Sequence, residues 1–204
     1  RRFFAPALVT AHVAGEETVI IGNYRRSAVR EVHLHTVYDA PKPAAGVLRW
    51  EVIHLDGRVL ARGKKAVPLR YGESIRQHTV DLAKPLAKHS RESIYLRIAL
   101  EIAGKRVSEE TVFLTAPRFL NLPKARTAVT VRVDAPGEAT IGFRSSAFQH
   151  RFAFDLPGLD FWTSDNYLEL YPGETKTVTV RFSGRKNPAQ LKKLLTYQSL
   201  VDAY

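Results

Sequence analysis

Apolar and polar residues alternate with the period of a strand through almost the whole chain. Ile94, Leu96, Ile98, Leu100 and Ile102 interleave with Tyr95, Arg97, Ala99 and Glu101, which in an extended backbone sends one row to each face of a sheet. Leu48, Trp50 and Val52 interleave with Arg49, Glu51 and Ile53, and Val32 and Leu34 with Glu31, His33 and His35. The pattern predicts strands over 7–13, 17–22, 29–38, 47–55, 58–67, 73–82, 93–102 and 106–114. Asp56-Gly57 lies between two of them and predicts a type I′ hairpin, and Ala103-Gly104-Lys105 acts similarly before the last. Seven or eight short strands with turn signals between them and no long helical period predict an antiparallel sandwich over residues 1–117.

Ala116-Pro117 and Leu122-Pro123-Lys124 mark a short linker. Beyond it Val129, Val131 and Val133 alternate, Pro136-Gly137 turns the chain, and Ala139, Ile141 and Phe143 follow. Phe148, Phe152 and Phe154, then Leu168 and Leu170, then Val178, Val180 and Phe182 after Pro172-Gly173 complete five strands. A second sandwich over 118–204 needs about two more, one of which 195–201 can supply. Pro188 suits the first turn of a short helix through Leu194, with Asn187 as its cap. The expected fold is therefore all-β: two consecutive immunoglobulin-like antiparallel β-sandwich domains, the second smaller and carrying a short helix near its C-terminus. About 80 residues make a marginal core, so the second domain is expected to lean on the first or on a neighbour.

Composition narrows the chemistry. The 204 residues contain no cysteine, which removes disulfides, thiolate zinc sites, iron–sulfur clusters and cysteine nucleophiles together. Methionine is absent even at position 1, so the chain is expected to be part of something larger, and no leader of basic and apolar regions opens it. No apolar run approaches the ~18 residues of a membrane span. The net charge of +11 invites a nucleic-acid partner, but the surplus is seven among residues 1–117 and four among 118–204. Its longest runs are pairs such as Arg25-Arg26, Lys64-Lys65 and Lys192-Lys193, not the concentrated stripe with interleaved aromatics that tracks phosphates. Neither nucleic acid nor membrane is expected as a partner.

Candidate chemistry is thin. His33 and His35, two apart on one strand, present both rings to one face, where a metal would need a third ligand that the spacing does not supply; a solvated pair is expected. Asp155, Asp160, Asp165 and Glu169 form the densest acidic stretch, but Phe161, Trp162 and Tyr167 interrupt the oxygen-rich loop that calcium needs. No nucleophile elbow, Walker loop, dinucleotide fingerprint or zinc-protease helix occurs. Trp50 follows the inward row of its strand and is expected in the core. Trp162 lies in a loop-like acidic segment, where an aromatic either packs on its own domain or stacks on a sugar.

Several segments resemble a known family. Arg1-Arg2-Phe3-Phe4-Ala5-Pro6-Ala7-Leu8-Val9 resembles the junction after the catalytic barrel of β-mannosidase-type members of glycoside hydrolase family two. Residues 48–57 (LRWEVIHLDG) resemble the immunoglobulin-like domain that follows, and 113–124 the passage into the last domain. Ser164-Asp165-Asn166-Tyr167, Leu170-Tyr171-Pro172-Gly173-Glu174 and the terminal Gln198-Ser199-Leu200-Val201-Asp202-Ala203-Tyr204 are similar to that last domain. The resemblance implies a retaining exo-glycosidase acting on terminal β-mannosides, or on glucosaminides, whose acid and nucleophile glutamates sit in a TIM barrel outside these residues. In that family the general acid follows an asparagine, and this chain has no Asn-Glu dipeptide, so no catalytic residue carries over.

The expectation is thus a pair of non-catalytic accessory domains that scaffold a glycoside hydrolase barrel, with no catalytic, cofactor-binding or metal-binding residue and no cofactor. The partner is the parent enzyme's own catalytic barrel. The alternative is a carbohydrate-binding module using exposed aromatics such as Trp162, with a glycan as partner.

Overall fold

The computed structural model describes residues 5–14, 17–21 and 24–203, and of the strands within 17–28 only the backbone. Arg1–Phe4 of the junction segment, Gly22 of the 17–22 strand, the side chains of Arg25 and Arg26, and the terminal Tyr204 lie outside the described residues. The chain divides into two units: the described part of Arg1–His54 with Arg58–Asn121, and Leu55–Gly57 with Leu122–Tyr204. Among the described residues no helix is long and apolar enough to cross a membrane.

The first unit is built from strands β1 (Ala7–Ala14), β2 (Glu17–Ile21), β3 (Tyr24–Ala28), β4 (Glu31–Tyr38), β5 (Ala44–His54), β6 (Val59–Leu69), β7 (Glu73–Asp81), β8 (Ile94–Ile102) and β9 (Lys105–Phe113), with one helical turn, α1 (Ala83–Leu86). They form antiparallel sheets ordered β1–β4–β7 and β6–β5–β8–β9, and a β2–β3 ribbon. The single strand expected at 17–22 is the first arm of that ribbon. Tyr24–Ala28 carries no apolar alternation and pairs with it through the backbone. Between the two main sheets Val32, Leu34, Leu48, Val52, Ile94, Leu96, Ile98 and Leu100 are buried, the inward rows read from the sequence. β6 runs two residues past the expected end, through Pro68, because it is an edge strand and Pro68 forfeits no ladder donor there. The Asp56-Gly57 hairpin forms with positive φ at Gly57 alone and a register shift at Val52/Ile53. It is Ala103 and Gly104 that both take positive φ, the requirement of a type I′ turn.

A two-layer sandwich leaves two open sides where edge strands of different sheets face each other, and side chains lace both. On one, the Val9 N–H donates to Ser108 Oγ at 3.1 Å, and Glu110 accepts from the Thr10 hydroxyl and the Ala11 backbone. On the other, Lys65 Nζ donates to the Gln77 carbonyl at 2.6 Å, and Gln77 Nε2 donates to the Pro68 carbonyl at 3.4 Å. There too the Trp50 ring stacks on His78 with centroids 4.1 Å apart. Trp50 lies across Gly63, its cross-strand neighbour, where a Cβ would meet Trp50 Cζ2 at 2.2 Å.

The second unit contains β10 (Thr127–Ala135), β11 (Glu138–Ser145), β12 (Gln149–Asp155), β13 (Phe161–Thr163), β14 (Leu168–Leu170), β15 (Thr175–Phe182), α2 (Pro188–Leu194) and β16 (Thr196–Gln198). Its sheets run β10–β11–β15–β13 and β14–β12–β16. Two three-residue strands, β13 and β16, are the pair that the five-strand count lacked. Phe143, Phe152 and Phe154 form the centre of its core, with ring centroids of Phe143 4.9 Å and 5.2 Å from the other two. α2 begins at Asn187, whose side chain accepts from the Gln190 N–H while the Gln190 side chain accepts from the Asn187 N–H, a reciprocal capping box. Leu191 is the residue that the helix buries in this core.

Gly63→Ala is expected to destabilise the protein by about 1–3 kcal/mol, the cost of overpacking against a ring held on both sides. In a Trp50→Leu background the same change should cost less than about 0.5 kcal/mol, and a urea-denaturation double-mutant cycle measures the difference.

Candidate functional site

The segment 161–167 carries Trp162, the exposed aromatic that the sequence offers for sugar stacking. Phe161–Thr163 is not loop but strand β13, on the edge of its sheet beside β15. Phe161 packs against the core and Trp162, next in the strand, faces outward with 55% of its surface exposed. Arg181, its cross-strand partner, holds its guanidinium 5.6 Å from the Trp162 ring centre and donates from Nε to Glu138 at 2.8 Å. The indole is thereby fixed on a Glu138–Arg181–Trp162 row. The following Ser164-Asp165-Asn166-Tyr167 is a backbone device. Asn166 imitates a strand residue: its Oδ1 accepts from the Phe154 N–H and its Nδ2 donates to the Phe154 carbonyl, both at 3.1 Å. Ser164 exchanges bonds with the Thr179 backbone through its N–H and Oγ. Tyr167 sits at φ 56° with 72% of its surface exposed, the second open aromatic of the segment.

Of the acidic residues nearby, Asp160 is exposed and the other three are spent on local structure. Asp155 and Asp165 each accept from the next residue's N–H, and Glu169 pairs with the buried His150 at 2.7 Å. Among the described residues no group of three or more histidines and carboxylates is arranged to hold a metal ion. His33 and His35 do share an outward face, but they are half-buried rather than solvated. His12 faces His33 across the β1–β4 ladder with ring centroids 5.8 Å apart, Glu31 lies 2.6 Å from His33 Nε2, and Arg76 Nη1 approaches the same ring at 3.4 Å. Trp50 is half-buried and packs on the core, as its inward row implied.

A feature that no single strand reveals lies on the outer face of β6–β5–β8–β9. Register places Arg62, Glu51 and Arg97 in one cross-strand row and Lys64, Arg49 and Ala99 in the next. Ala99 is small, so the long side chains around it enclose a shallow basin of about 510 Å³. Arg49 pairs with Glu101 at 2.8 Å, while Glu109 pairs with Arg97 and, at 3.2 Å, with Arg106. The sequence signal was charge at alternate positions on three strands, and it becomes a patch only when the register is known.

Burial, with the nearby charges of His33, Arg76 and His12, lowers the His35 pKa from its ordinary 6.5; burial and then Lys65 lower that of His78. The fold therefore favours both rings neutral. That stability is complete above 6.5 and is lost as pH falls below it toward the depressed values. Unfolding free energy should decline between neutral pH and about pH 5, the two rings' NMR titrations should have midpoints below the free-histidine value, and His35→Gln/His78→Gln should flatten the decline. Asn166→Ala, which strips both Phe154 backbone groups of their partner, is expected to cost about 1–3 kcal/mol by urea denaturation.

A family model described as Mannosidase Ig/CBM-like domain matches residues 30–118, and one described as Ig-fold domain matches 122–203. Curated protein sequences give no match. Among solved structures, the β-D-mannosidase of Dictyoglomus thermophilum is similar over 98% of this chain, with a TM-score of 0.74 and 12% identity. The exo-chitosanase of Amycolatopsis orientalis is similar over 82%, with a TM-score of 0.48 and 16% identity. The chain spans only 22% and 24% of those two proteins. The chain belongs to the mannosidase-type immunoglobulin-like families, as a Mannosidase Ig/CBM-like domain followed by an Ig-fold domain.

Proposed function

We propose that the chain is the non-catalytic C-terminal pair of accessory domains of a β-mannosidase-type, family-two glycoside hydrolase, scaffolding a catalytic barrel that hydrolyses terminal β-mannosides. The observation that carries this reading is the tandem: two mannosidase-type immunoglobulin-like domains in series, whose combined fold is matched over 98% of the chain within a β-D-mannosidase. The residues support a scaffolding role rather than a reacting one. Several of their carboxylates are engaged with cations and backbone N–H groups, as Glu101 is with Arg49, Glu109 with Arg97 and Asp202 with Ser199. A retaining glycosidase instead needs two carboxyl groups ~5–5.5 Å apart flanking an open sugar site.

A second reading, a carbohydrate-binding module, is favoured by Trp162, whose exposed and fixed indole is the kind of surface on which sugars stack.

The purified chain is expected to give no turnover of 4-nitrophenyl β-mannoside above a vector control, and turnover would overturn the scaffold reading. Deleting these residues from the complete reading frame should lower the barrel's melting temperature and its β-mannoside turnover; an unaffected remainder would count against scaffolding. In affinity gels containing mannan, retardation that disappears with Trp162→Ala would establish the module instead.

A further inference from the structure

We propose that the outer face of β6–β5–β8–β9 is a binding site for an acidic oligosaccharide, one carrying carboxylate or sulfate groups between its hydroxyls. The inference stands apart from the scaffolding role and from Trp162, which lies in the other unit.

Five cations, Arg49, Arg62, Lys64, Arg97 and Arg106, surround the basin, against the three carboxylates Glu51, Glu101 and Glu109. The surplus is concentrated on β6. Among the described residues Arg62 and Lys64 have no carboxylate partner, and both side chains are exposed. They point the same way, about 7 Å apart along the strand, with the next strand about 4.8 Å away. Lys64 lies directly across from Arg49 in the ladder. Like charges opposed on neighbouring strands oppose folding, and the sheet retains this pair beside a basin where an anion would relieve it. Arg97 is held ready: its side chain is only 12% exposed and is tethered by Glu109, so little freedom is lost on binding.

The mixture of charges selects the ligand. Glu51 sits between Arg62 and Arg97 in its row, an acceptor between two donors. A polyphosphate strand would meet that carboxylate as repulsion, and Trp50, the aromatic of the lining, packs on the core and stacks on His78 rather than standing free as the platform that grips single-stranded nucleic acid. A sugar chain offers hydroxyl donors to Glu51 and anionic groups to the arginines, whose planar forks match carboxylates and sulfates. The basin volume of about 510 Å³ is that of a small-ligand site.

Isothermal titration of the full chain with an α-1,4-linked galacturonate tetramer and with a heparin tetrasaccharide tests this, the two arms separating carboxylate from sulfate recognition. At least one should bind. That affinity should fall about tenfold in Arg62→Ala/Lys64→Ala, and by a comparable factor between about 50 and 200 mM salt. A neutral mannotetraose should not bind, and Lys192→Ala/Lys193→Ala, which removes the same charge from the exposed face of α2, should leave affinity unchanged. The proposal is overturned by any of four results: no binding of either acidic tetramer at millimolar concentration, equal loss in the two double variants, equal affinity for the neutral sugar, or displacement by oligothymidylate of matched charge at equal concentration. Both double variants alter exposed side chains, and circular dichroism confirms that they are folded.

Discussion

Two flat layers of strands bury their facing rows easily, and the difficulty lies at the sides, where edge strands of different sheets approach without a ladder between them. Each backbone group there that loses water without gaining a partner costs about 1–3 kcal/mol. The first unit answers with side chains that act as rungs: Ser108 for the Val9 N–H, Lys65 for the Gln77 carbonyl, Glu110 for Thr10 and Ala11. In the second, Asn166 serves a different need, pairing with both backbone groups of Phe154 on the central strand β12 just beyond its ladder with β14. Burial raises the Glu110 pKa above its ordinary value, opposed by the bonds from Thr10 and Ala11, so this rung is held at some electrostatic expense. The core fills because these polar side chains close it.

Once the interiors are filled with Leu, Ile, Val and Phe, recognition is left to the outer faces and the edges. The two units use theirs differently. The first carries a chequered array of arginine and glutamate around Ala99, which suits an anionic, hydroxylated ligand. The second carries an indole fixed by a cation, Trp162 over Arg181, which suits a neutral apolar sugar face. Both depend on β-sheet rigidity, since the side chains are placed by ladders and not by loops. A pair of such domains beside a catalytic barrel would add binding surface without adding reactive groups.

How much of this was legible follows from the range of each interaction. The alternation at 94–102 marked a buried central strand because Ile94, Leu96, Ile98 and Leu100 report their burial locally. The helix over Pro188–Leu194 was readable for the same reason: Asn187, Pro188 and Gln190 settle its start among themselves. β13 was not, because Phe161-Trp162-Thr163 is too short for any period and is a strand only through β15. The β3 arm was missed likewise, since Tyr24–Ala28 carries no apolar alternation and is a strand only by its pairing with Glu17–Ile21. Asp56-Gly57 gave a hairpin but not its turn type, which depends on how the flanking strands end their register.

Sequence by itself determined the all-β class, the inward rows of both sandwiches, most strand positions, the capped helix and the family resemblance, because each is a property of neighbours along the chain. Tertiary structure alone decided which charges meet. Arg62, Arg49 and Arg97 belong to separate strands, and only hydrogen-bond register brings them to one basin. It also decided that Trp162 stands exposed beside Arg181 and that His12 comes to His33. Local periodicity states which face a residue takes. Which residue of another strand stands opposite depends on ladder register and sheet order, and neither is written within any one segment.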